Sequence, residues 1–165
     1  MSAEHTTELR VRYSETDQMG TFYNSRALEW FEVGRTELLR ALGLPYAEME
    51  QRGAMLPLVE AHVEFLGRAR YDDLLRITAR VAIQGKARVR FEVAINQADG
   101  RGVAQGYTVH AVTDASGRAI RPPTWLVQVA GSGMETPNPK SGPLNNPGPA
   151  VSSVENSHGR KPVVP

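Results

Sequence analysis

The stretch from Ser25 to Leu42 constrains this chain more than any other. At 100° per residue, Ala27, Leu28, Trp30, Phe31, Gly34, Leu38, Leu39, Ala41 and Leu42 fall in an arc of roughly 180°, wider than the ~100° stripe of an ordinary surface helix. Glu29, Glu32, Thr36, Glu37 and Arg40 fill the opposite side. Gly43 supplies a C-terminal stop and Pro45 forbids continuation, so the pattern predicts one largely buried helix over residues 25–42. A helix apolar over half its circumference needs a concave surface to receive it.

The remainder of the chain offers such a surface. Residues 1–6 read as a loose end, 7–13 as a strand in which Leu9, Val11 and Tyr13 alternate with Arg10 and Arg12, and 14–24 as a turn. Pro45 opens and Gly53 closes a short second helix through residues 46–52. Met55 to Phe65 alternates, with one slip between Leu58 and Ala61 that suits a β-bulge. Three strand patterns follow in succession, carried by Leu75 to Ile83, Val89 to Ile95 and Val103 to Thr113, with Gln84-Gly85-Lys86 and Ala98-Asp99-Gly100 as turns. Residues 118–130, with Pro122-Pro123 ahead of Trp125 and Leu126, read as an extended edge segment. With no βαβ alternation, the expectation is an α+β fold in which an antiparallel sheet curls around the helix.

Composition sets the outer limits. A chain of 165 residues, 41% hydrophobic and 22% charged, fits one domain with a sizeable core. Seven of the 11 prolines lie beyond residue 130, among many Gly, Ser and Asn and no aromatic. That composition cannot bury enough apolar surface to offset its ordering entropy, so residues 1–130 are expected to form the domain and 131–165 a tail. A formal charge of +1 without a basic cluster argues against nucleic acid as a partner, and no cationic amphipathic helix points to a membrane. The polar start and the lack of an 18-residue apolar run lead us to expect a cytoplasmic protein. The absence of cysteine excludes disulfides, thiolate nucleophiles and Cys-ligated zinc. His5, His62, His110 and His158 are scattered without metal-ligand spacing, so neither metal nor cofactor is expected.

The candidate chemistry lies in Tyr13 to Asn24. An acidic turn set between a strand and a helix start can aim a carboxylate at the helix's free N–H groups. On its residues alone, Asp17 reads as a turn or helix-capping residue before a catalytic one, and Gly20 as a turn glycine or a point of close backbone approach. Lys86, Arg88 and Arg90 gather where a loop meets a strand, either as a solvated face or as cations for phosphate. Arg35 falls inside the apolar arc, with Glu32 one turn away as its expected ion-pair partner.

Thr16-Asp17-Gln18-Met19-Gly20-Thr21-Phe22-Tyr23-Asn24, then Trp30-Phe31-Glu32 and Arg35-Thr36-Glu37-Leu38-Leu39, resembles the "D-x-x-G, Tyr, E-x-x-R" opening of hotdog-fold acyl-CoA thioesterases of the 4-hydroxybenzoyl-CoA thioesterase-like type. Val63-Glu64-Phe65 and Ala69-Arg70-Tyr71-Asp72-Asp73-Leu74-Leu75 are similar to that family's second strand and the turn after it. The resemblance covers about residues 8 to 127. It implies a five- or six-stranded antiparallel sheet around the long helix, and a homodimer or dimer of dimers with acyl-CoA sites between subunits. It also implies that Asp17 acts as nucleophile or general base, with the backbone N–H of Asn24 at the helix start as oxyanion donor and Gly20 beside them. Tyr23, Lys86, Arg88 and Glu64 become candidates for substrate contact, Glu64 through the partner subunit. Many relatives carry a His where this chain has Asn24. Two other functions share the fold: 3-hydroxyacyl-thioester dehydratases or hydratases, which need an approach-loop His that is absent between His5 and His62, and a non-catalytic acyl-CoA-binding module, which would have no use for Asp17.

Overall fold

In the computed structural model, which describes residues 3–131, the elements follow in the order β1 (Ala3–Arg10), α1 (Arg26–Ala41), α2 (Tyr46–Gln51), β2 (Leu58–Phe65), β3 (Leu74–Gln84), β4 (Arg88–Gln97), β5 (Gly102–Ala111) and α3 (Thr124–Ala130). The five strands form one antiparallel sheet in the order β1-β3-β4-β5-β2, with α1 packed against it. The alternation expected of the central strands is the packing pattern. Leu75, Ile77, Ala79 and Val81 of β3 and Val89, Phe91, Val93 and Ile95 of β4 are buried, while Arg76, Arg80 and Glu92 project to the other face. From the helix, Ala27, Trp30, Phe31, Gly34, Leu38 and Leu39 complete the core. Each large side chain so buried stabilises the fold by about 1.5–3 kcal/mol. Gly34 marks the closest approach of helix to sheet, since a Cβ there would sit 2.7 Å from Ile77 Cγ2.

The structure changes several boundaries and one element. β1 begins at Ala3, so residues 3–6 are strand where a loose end was expected. Thr6 and Thr78 face each other across the β1–β3 pair and share a hydrogen bond. β1 stops at Arg10, and Tyr13–Glu15 form a 3-10 turn. The helix arc is narrower than predicted, because Leu28 remains 39% exposed and Ala41 lies at the surface. Residues 124–130 are helical, where an extended edge segment was expected. Pro123 stands at the N-cap with the extended backbone its ring favours, and Leu126 and Ala130, four apart, are the pair that becomes buried. A seven-residue apolar run does not distinguish helix from strand by periodicity alone. The bulge in β2 is present between Leu58 and Glu60. The expected tail, residues 131–165, lies outside the described residues except for Gly131. No described helix is long and apolar enough to cross a membrane.

β2 is an edge strand, and it is the anomaly of the sheet. Its apolar residues Leu58, Val59 and Phe65 are each about half exposed, as is Leu66 just after it.

Candidate active site

Between β1 and α1 the chain makes a short hairpin. Thr16 and Phe22 form an isolated antiparallel bridge, the Asp17 N–H donates to Thr21 O (2.9 Å), and the Gly20 N–H donates to Asp17 O (3.0 Å). Gly20 takes φ +69°, a conformation that side-chain-bearing residues rarely adopt and that lets the turn close. Phe22 anchors the hairpin. Its ring is buried against Trp30 of α1 at 4.9 Å and faces Phe65 at 6.1 Å, and its N–H donates to Ala69 O (2.8 Å). The tip, by contrast, stays accessible: Asp17 is half-buried, and Met19 and Tyr23 are exposed.

Asp17 Oδ1 accepts the Met19 N–H at 2.8 Å, while Oδ2 has no protein partner among the described residues. Asp17 therefore orders its own turn and caps no helix. The N-cap position of α1, Ser25, makes no side-chain capping bond, and the backbone N–H of Asn24 has no acceptor among the described residues. A carboxylate with a free oxygen and a helix start with a free donor thus stand at opposite ends of one hairpin.

Asp17 and Gly20 line an open groove of about 500 Å³ together with Tyr13, Thr16, Gln18, Arg70 and Tyr71. Tyr13 and Tyr71 meet edge to face at 5.5 Å. Arg70 and Tyr71 come from outside the Tyr13 to Asn24 stretch and were not expected at the site from the sequence. Residues 70–73 reach it because the turn there is tied to the start of the hairpin segment: the Asp72 N–H donates to Val11 O (2.9 Å) and Val11 N–H to Asp73 O (2.9 Å). Aromatic and charged residues in a connection were the available signal.

Glu15, which had no individual role from the sequence, is buried two residues ahead of Asp17. Its Oε2 accepts the Arg12 N–H (2.7 Å), and Oε1 accepts both the Arg12 guanidinium (2.9 Å) and the Trp30 indole N–H (3.1 Å). Burial opposes its ionisation, but the hydrogen bonds from Arg12 and Trp30 outweigh that penalty and hold the carboxyl below its usual range.

Other predicted residues are not gathered here. Glu64 accepts from Gln105 Nε2 (2.7 Å) on the sheet face opposite Phe65, away from the helix, where Glu60, Tyr107 and Arg90 form a polar patch. Lys86 and Arg88 lie exposed at the β3–β4 hairpin. β3 has 11 residues, an extended span of roughly 35 Å, and the Asp17 hairpin is at its other end. Within one chain the cations are remote from Asp17. Arg35 does pair with Glu32 (3.2 Å), its stem covered by the core, and Glu29 pairs with Arg26 (2.7 Å). No histidine lines the groove. His110 is buried between Leu56 O (2.8 Å) and Thr108 Oγ1 (3.0 Å), and His62 stacks on Tyr107.

Comparison with known proteins bears on the family and the fold. Residues 11–130 match the family model described as the thioesterase-like superfamily. The chain is 47% identical over 58 residues to the Bacillus subtilis protein named "Putative acyl-CoA thioesterase YneP", covering 35% of this chain and 42% of that one. It is 32% identical over 85 residues to the acyl-CoA thioesterase YbgC of Haemophilus influenzae, covering 51% of this chain and 62% of that one. These matches span less than two thirds of either relative. Among solved structures, the DHNA-CoA thioesterase of Staphylococcus aureus superposes with a TM-score of 0.67 at 28% identity, over 72% of this chain and 80% of that one. The fold is the expected α+β hotdog fold.

Proposed function

The chain belongs to the thioesterase-like superfamily, and on that footing we propose that it hydrolyses an acyl-CoA thioester to a carboxylic acid and free CoA, with Asp17 as the reacting carboxylate. The observation that carries the proposal is the half-satisfied Asp17: one oxygen is held by the Met19 N–H and the other is free at the mouth of an open groove. Acting as a general base, that oxygen takes a proton from water as the water oxygen attacks the thioester carbon. The negative charge moves to the former carbonyl oxygen, which the Asn24 N–H receives with help from the helix dipole. Collapse of the intermediate restores the C=O bond and expels CoA thiolate, which is then protonated. Acting instead as a nucleophile, Asp17 attacks the thioester carbon and displaces CoA thiolate, forming a mixed anhydride with the acyl group that water then cleaves. A single turnover in 18O-labelled water tests for the anhydride: label in the Asp17 carboxylate identifies an anhydride opened at the Asp17 carbonyl, an outcome that general-base attack by water cannot produce.

The site is completed by a second copy. Pairing the open edge of β2 with the same edge of another chain, antiparallel about a two-fold axis, covers the half-exposed apolar side chains of β2. The same operation turns the second copy's β3–β4 hairpin, with Lys86 and Arg88, toward the end of the joined sheet that carries Asp17. Those cations then stand where the phosphates of CoA need counter-charge. Tyr23, exposed next to Asn24, remains a substrate contact in this assembly, whereas Glu64 is committed to Gln105. The groove's lack of a histidine disfavours the dehydratase chemistry.

The test is thiol release from a panel of acyl-CoAs of differing chain length and aromaticity. At least one should turn over well above the uncatalysed rate. Tight binding of acyl-CoA without release across the panel would instead identify a non-catalytic binding module.

A further inference from the structure

Glu15 is the buried carboxylate among the described residues, and it touches both ends of the reacting hairpin as well as the helix beneath it. Its side chain reaches Trp30 of α1 and the backbone and guanidinium of Arg12, which precedes the hairpin. Its own C=O accepts the Tyr23 N–H at 2.9 Å, one residue before the Asn24 donor, while Asp17 follows two residues after it. One residue therefore sits between the carboxylate and the N–H whose separation the chemistry requires, with its side chain fixed to a rigid element. We propose that Glu15 is a positioning residue that sets Asp17 and the Asn24 N–H in register with each other by tying their shared hairpin to α1. The proposal rests on the catalytic reading given above.

The geometry explains why a carboxylate is needed there. Every group around the Glu15 side chain is a donor: the Arg12 N–H, the Arg12 guanidinium and the Trp30 indole N–H. Glutamine has the same shape but only one acceptor oxygen, so its amide NH2 must face a donor in either orientation. The hairpin is then held less firmly. Misplacement by about 1 Å is enough to cost a reaction on the order of 10²-fold while leaving remote binding contacts in place.

The experiment compares Glu15→Gln in the parent and in an Asp17→Asn background. In the parent, Glu15→Gln is expected to lower kcat about 10- to 100-fold with KM for the same acyl-CoA within about two-fold. In the Asp17→Asn background it is expected to lower the residual kcat by a clearly smaller factor, since only the Asn24 N–H is then left to position and its register with a reacting carboxylate no longer matters. Trp30→Phe keeps a ring against Phe22 and withdraws one donor. It guards against a Glu15→Gln variant that fails to fold, and is expected to lower kcat in the same direction by a smaller factor. A folded Glu15→Gln with parental kcat, or an equal fold-loss with and without Asp17, overturns the proposal. If Asp17→Asn alone turned over at the parental rate, the catalytic reading would fall. Amide exchange at Asp17 and Tyr23 then decides the positioning claim: faster exchange at both in Glu15→Gln supports it, and unchanged exchange overturns it.

Discussion

At the residue scale, the turn role that the structure gives Asp17 and the reacting role proposed for it separate on one substitution. Its Oδ1 holds the Met19 N–H, a turn function that an asparagine oxygen performs equally well. Its free Oδ2 carries the charge that asparagine lacks. Asp17→Asn should therefore melt within a degree or two of the parent, at about its affinity for acyl-CoA, while kcat falls by at least ~10²-fold, the loss expected for one acid-base group. Circular dichroism and steady-state thiol release check the two halves. A normally folded variant at near-parental kcat removes Asp17 from the mechanism. Asp17 and Gly20 were legible in the sequence because a local turn motif records them. Glu15 was not, because its partner Trp30 is 15 positions away and no local spacing rule joins a 3-10 turn to a helix. Arg70 and Tyr71 enter the groove because the residues on either side of them are tied to the hairpin segment, Asp72 and Asp73 to Val11 and Ala69 to Phe22.

Among the elements, β2 is the one whose sequence and surroundings disagree. Its alternation reads as a half-buried strand, yet seven of its eight residues are exposed in the single chain. Val63 is the half-buried exception, facing Gly106 across the β2–β5 pair. An open edge with apolar residues on it is a template for another strand. The protein should therefore sediment as a dimer or a multiple of it at micromolar concentration. Val59 and Leu66 are both about half exposed, so Val59→Lys with Leu66→Lys should leave the monomer fold intact while weakening dimerisation by about tenfold or more through charge at the edge. Thioesterase activity should fall with the dimer fraction. A monomeric parent, or a double variant that dimerises as tightly as the parent, would remove β2 as the interface. The α3 segment gives the opposite lesson: its Pro-Pro approach was legible as rigid extended chain, but its last seven residues became helix because two of them found the core.

For the whole molecule, the buried polar groups set the response to pH. Burial pushes the His110 imidazole below its ordinary 6.5, with the Arg35 guanidinium adding to that and Leu56 O and Glu32 opposing it. The unfolded chain then binds a proton at pH values where the folded chain does not. Stability is full above about pH 6.5 and declines as the pH falls below it. Glu15 adds a second decline at lower pH, because its folded carboxyl lies below the ordinary 4.5 and its contribution is lost as acid protonates it. Urea midpoints measured from pH 8 to pH 5 should fall with acidification, and His110→Gln should flatten that segment. A midpoint that rises toward pH 5 would contradict the assignment.

The sequence by itself determined the long helix and its C-terminal stop, the three consecutive strands from Leu75 onward, and the turn that bears Asp17 and Gly20. Each depends on neighbours within one turn, one strand period or one motif, and such spacing is written along the chain. Only the tertiary structure decided that β1 and β2 form the two edges of the sheet, that Glu64 faces away from the helix and that Lys86 and Arg88 stand far from Asp17 within a chain. It also decided that Glu15 joins the hairpin to α1. These outcomes depend on which strands pair and which way an edge faces, and pairing between distant segments leaves no periodic trace in either of them.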